Sequence, residues 1–84
     1  MKDRAAITKE LAEDAYERLA NAIIVNAAND YRVVLKKCKN NPYNEDAIQE
    51  RKKLENFFLS AWYKALTKVD GTYLMTLLRQ EADM

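Results

Sequence analysis

Residues 54–74 read LENFFLSAWYKALTKVDGTYL. They hold both phenylalanines, the only tryptophan, the only glycine and two of the five tyrosines. Leu54, Phe57, Phe58, Ala61, Trp62, Ala65, Leu66 and Val69 recur at three-and-four spacing. That spacing gathers them on one side of a helix, with Glu55, Ser60, Lys64 and Lys68 mostly opposite. Burial of Phe57, Phe58 and Trp62 contributes roughly 2–3 kcal/mol each by transfer from water, so these three are the expected anchors of the core. Ser60 falls inside this helix, which should end at Val69. Asp70 can then cap a new helix through its carboxylate, and Gly71 eases the change of direction because it has no Cβ. Tyr73, Leu74, Leu77 and Leu78 give the new helix an apolar face. A second reading leaves Trp62, Tyr63 or Tyr73 partly exposed as an anchor for a partner.

Working outward, 84 residues make one domain, 1–84, with a thin margin of stability. One glycine and one proline leave room for few turns, and no alternating run of β-branched residues is present. An all-α chain is expected. From residue 4 to residue 39 there is neither glycine nor proline, and Leu11, Ala15, Leu19, Ala22, Ile23, Ala27, Tyr31, Val34 and Cys38 keep helical spacing. One long helix of about 50 Å is expected there, acidic early and basic late, as its dipole favours. Asn26, Asn29 and Asp30 weaken its interior, since their side chains compete with the backbone, but the apolar phase runs through and favours continuity. Asn26 and Asp30 lie one turn apart near the apolar side. They read either as a polar pair kept for a ligand or as a buried contact that fixes helix register.

The clear turn is residues 39–44. There Asn40 or Asn41 can take the left-handed conformation, Pro42 forbids continuation and Asn44 can cap the second helix. The expected architecture is a long antiparallel helical hairpin, about 4–39 and 45–69, closed by a short third helix over about 71–81.

Several function classes are disfavoured. Without histidine there is no ordinary base near neutral pH and no common metal ligand. No glycine-rich loop exists to hold phosphate. The expectation is no enzyme, no catalytic residue, no metal and no cofactor. The lone Cys38 permits no internal disulfide and suits a reducing compartment. Beside Lys36, Lys37 and Lys39 it reads either as an activated thiol or as a small apolar residue of the helix face. No apolar segment approaches a membrane span or a signal-peptide core. A cytoplasmic protein with no membrane partner is expected.

The formal charge is +1, yet residues 32–53 carry seven basic and three acidic side chains. In an antiparallel hairpin Arg32, Lys36, Lys37, Lys39, Arg51, Lys52 and Lys53 approach one end, near Tyr43. They are the candidate partner-binding residues, toward an acidic protein surface or phosphates. The alternative is a solvated face laced with ion pairs.

The run Phe57-Phe58, Ser60, Trp62-Tyr63, Leu66, Val69-Asp70-Gly71, Tyr73-Leu74, with Asn29-Asp30-Tyr31-Arg32 before it, resembles small uncharacterised all-helical proteins of prophages and mobile elements of Gram-positive bacteria. The resemblance spans about half the chain and carries no binding residue over. It implies a non-catalytic protein-binding module directed at a host or phage protein, including inhibition of a host defence protein such as a CRISPR effector. A small nucleic-acid-binding regulator and a structural assembly subunit are the alternatives. Self-association is a further expectation, as a homodimer burying Leu11, Tyr16, Leu19 and Ile23.

Overall fold

The structure, a computed structural model, describes residues 2–83, with side-chain surroundings from Asp14 onward. Four helices make up the chain: α1 (Lys2–Asn40), α2 (Glu45–Phe58), α3 (Ala61–Leu66) and α4 (Gly71–Glu81). No strand occurs among the described residues. No helix among them is long and apolar enough to cross a membrane.

α1 continues through residues 26–30 without a break. Asn26, Asn29 and Asp30 all face solvent, while the strong helix formers Ala27 and Ala28 are buried. Arg32 Nη1 donates to Asn29 Oδ1 at 2.8 Å and so occupies a side chain that would otherwise compete with the backbone. α1 ends without the left-handed residue expected at Asn40 or Asn41, since Asp83 alone among the described non-glycine residues has a positive φ. Instead Pro42 stops the helix, and Asn41 Oδ1 accepts the Tyr43 N–H at 3.1 Å. Asn44 Oδ1 then caps α2 by accepting the Ala47 N–H at 3.2 Å.

The helix expected over 45–69 is two helices, α2 and α3. Ser60 divides them. Its hydroxyl donates to the Phe57 carbonyl at 2.6 Å and accepts the Tyr63 N–H at 3.1 Å, capping α3. A serine that satisfies the end of one helix and the start of the next offers the backbone an alternative to continuing. The break resets the helical phase. Tyr63 turns inward and is fully buried, whereas Trp62, expected in the core, is 59 % exposed. Val69 is exposed as well.

Asp70 caps α4 as expected, accepting the Thr72 N–H at 3.1 Å. Gly71 begins that helix in the interior. A Cβ there would overlap the Phe58 carbonyl oxygen, reach within 2.8 Å of its carbon and lie 3.3 Å from Tyr63 Cε1. Space is the requirement rather than backbone freedom, because α4 starts directly on the last carbonyl of α2.

The core joins Tyr31, Val34, Leu35 and Cys38 of α1 to Ala47 and Phe58 of α2, Tyr63 of α3, and Met75 and Leu78 of α4. Phe58 makes edge-on contacts with Tyr31 at 5.5 Å and Tyr63 at 5.7 Å between ring centroids. Such pairs contribute roughly 0.5–1.5 kcal/mol each beyond the area they bury. Among the described residues, the large buried side chains of α1 are Tyr31, Val34 and Leu35. The molecule measures 61 × 21 × 21 Å, with a radius of gyration of 16.9 Å. A compact chain of this length would have a radius of about 12 Å. The difference arises because α1 is longer than the body packed on it, which reaches back to Ala20, 2 % exposed.

Candidate interaction surfaces

The sequence contains no histidine, and no group of three metal-ligating side chains converges among the described residues. Cys38 is 6 % exposed and belongs to the core. Of its two readings, the small apolar residue is the one the packing fits.

One polar network ties three helices together. The Tyr31 hydroxyl donates to Glu55 Oε2 at 2.7 Å. Arg79 donates from Nε to the Tyr31 oxygen at 2.9 Å and from Nη2 to Glu55 Oε2 at 2.5 Å. Burial pushes the Glu55 carboxyl up, but the hydrogen bonds from Arg79 and Tyr31 outweigh it and hold the group below its ordinary value of 4.5. Burial, reinforced by the bond to Glu55, raises the Tyr31 phenol above 10.0. The pairing with Glu55 raises Arg79. These three side chains are partners to one another, so the network's role is to bind α1, α2 and α4 together.

The eight candidate partner-binding residues separate into two groups. Two pair across helices and a third is half-buried. Arg32 Nε donates to Glu81 Oε2 at 2.6 Å, joining α1 to α4, and lowers the Glu81 carboxyl by that bond. Lys39 Nζ donates to the Ala82 carbonyl at 3.4 Å and lies 3.9 Å from Asp83. Arg51 is half-buried, with its Nε shielded from solvent and unpaired among the described residues. The other five, Lys36, Lys37, Tyr43, Lys52 and Lys53, are exposed and make no side-chain ion pair or hydrogen bond among the described residues. At about 100° per residue, Lys36, Lys37 and Lys39 point to three different sides of α1. These basic side chains of α1 therefore do not share one face. Tyr43, 90 % exposed, lies between α1 and α2 on a turn held by Asn41 and Asn44.

The projecting part of α1 carries a different surface. Tyr16 and Leu19 are 56 % and 60 % exposed. Ile23, next on the same stripe, begins a shallow groove of about 300 Å³ lined also by Asn26, Asp30, Leu54, Phe57 and Trp62. Asn26 and Asp30 are both exposed, so they are not the buried contact the sequence allowed. Trp62 rests edge-on against Phe57, with centroids 5.3 Å apart, and its other side faces the solvent. Sequence reasoning placed Trp62 in the core because it carried one helical phase across Ser60. The available signal was Ser60 itself, a preferred capping residue.

No protein-family model, curated protein or solved structure matches this chain.

Proposed function

We propose that this chain is a non-catalytic protein-binding module that meets its external partner at the α1–α2 turn. In this reading α1 and α2 form an antiparallel hairpin, closed by α3 and α4, that presents the turn at one end of a stiff body. The carrying observation is Tyr43, a nearly fully exposed aromatic on a turn already fixed by two side-chain hydrogen bonds. An exposed aromatic on a backbone already fixed has only its own side-chain freedom to lose on binding, which suits an interface anchor. Lys36, Lys37, Lys52 and Lys53, exposed and unpaired among the described residues, suit a partner with an acidic surface. The resemblance to mobile-element proteins supports a host protein as target, with a defence protein as the specific proposal.

The test is affinity capture from bacterial lysate with the tagged chain, with and without nuclease, beside two variants. One variant is Tyr43→Ala and the other reverses charge at Lys36, Lys37, Lys52 and Lys53. A stoichiometric protein retained after nuclease and lost with either variant is the expected result. Recovery of nucleic acid that disappears with nuclease or moderate salt would favour the regulator instead. A partner retained by both variants would remove the turn from the interface.

A further inference from the structure

Along α1, from its projecting part into the groove, Tyr16, Leu19, Ile23 and Asn26 are spaced by three, four and three residues, the seam of a helix made to pack on another helix. Ala15 and Ala22 flank it, and side chains that small let two helices approach closely. The nearby charges lie off the seam. Asp14 and Arg18 pair with each other at 2.8 Å and require nothing from a partner. The described residues of the seam are thus apolar or uncharged up to Asp30.

The geometry points to a second copy of this chain as the occupant, its α1 running antiparallel to the first. Area argues for it. The chain exposes 6602 Å², whereas a compact monomer of 9.8 kDa exposes about 5,200 Å². The surplus of about 1,400 Å², spread over the elongated chain, leaves room for the roughly 800 Å² that each partner gives to a standard interface, and within it Tyr16 and Leu19 are more than half exposed.

The pattern also selects the orientation. In a parallel pair in register, Asp30 would face Asp30, and like charges would oppose each other. In an antiparallel pair centred between Leu19 and Ile23, each Leu19 meets the other copy's Ile23. Each Tyr16 meets the other copy's Asn26, where phenol and amide can hydrogen-bond. The same two contacts recur about a two-fold axis, as a closed dimer requires. Tyr16 of the second copy then enters the groove beside Asn26 and covers the exposed side of Trp62.

Sedimentation equilibrium of the full chain over a concentration series tests this, with Trp62 emission as a second reading, since no other tryptophan is present. The expected result is a mass rising to twice 9.8 kDa, with Trp62 emission moving to shorter wavelength as the dimer fills. Leu19→Glu places a charge at an exposed position, so helicity by circular dichroism should be kept while the mass falls to one chain and the emission shift is lost. Orientation is read by mixing copies bearing Tyr16→Cys with copies bearing Asn26→Cys under mild oxidation, where the mixed cross-link should dominate. A single-chain mass up to the solubility limit would overturn the proposal and leave the seam to a foreign helix. A dimer indifferent to Leu19→Glu, or cross-linking chiefly of Asn26→Cys to itself, would overturn it as well.

Discussion

Two stretches of α1, residues 14–19 and 31–38, share one unbroken helix and one apolar spacing, yet they have opposite surroundings. Tyr31, Val34, Leu35 and Cys38 are buried under α2, α3 and α4, whereas Tyr16 and Leu19 stand in solvent. Spacing alone therefore does not decide burial. What decides it is how far the rest of the chain can reach, and 44 residues beyond α1 cover only part of a 39-residue helix.

Substitutions should separate the two stretches sharply. Phe58→Ala removes the ring that meets both Tyr31 and Tyr63. Its expected cost is about 3–5 kcal/mol, read as a loss of thermal stability by circular dichroism. A cost under about 1 kcal/mol would mean that the body is not packed around this ring. Gly71→Ala comes next. Overlap with the Phe58 carbonyl should cost about 2–3 kcal/mol by overpacking, more than the roughly 1 kcal/mol of helix propensity that alanine gains. A stabilised variant would show that α4 can move off α2.

Glu55→Gln should cost about 1 kcal/mol, because Arg79 loses a charged partner that is partly open to solvent. The pH dependence comes from the lowered Glu55 carboxyl. A carboxyl lowered in the folded state stabilises fully above its unfolded value and loses that contribution as pH falls through the lower folded value. Wild-type stability should accordingly drop below pH 4.5, and more steeply than that of Glu55→Gln. Equal acid profiles would remove Glu55 as the cause.

Tyr63→Phe should stabilise by about 1 kcal/mol, since the buried hydroxyl has no partner among the described residues. Smallest of all, Leu19→Ala should shift unfolding by less than about 0.5 kcal/mol when the chain is too dilute to associate. A core-sized loss there would mean that the projecting part is covered within a single chain.

Much of this fold was legible in the sequence. The long helix, the turn at Pro42 and the caps at Asn44 and Asp70 all rest on local chemistry that a sequence displays. The break at Ser60 left only one local signal, the preference of serine for helix caps. Serine inside a helix and serine between two helices read alike until the side chains it orients are seen. The candidate site suffered differently. Arg32 and Lys39 find partners at Glu81 and Ala82, more than forty residues away. Charge that looks available in a local count is used at long range, and no spacing rule reveals such pairing. Tyr43 escaped this because a tight turn between helices leaves its tip outside whatever the helices pack against.

The unbroken course of α1 makes it a ruler. With no hinge between the projecting end and the tip, about 1.5 Å per residue becomes a fixed distance. Two copies joined antiparallel about residues 19–23 would hold their Tyr43 tips about 60 Å apart at opposite ends. Each copy would then bring the other's tip to a surface already engaged, and the gain in avidity would be restricted to targets whose acidic patches repeat at that span.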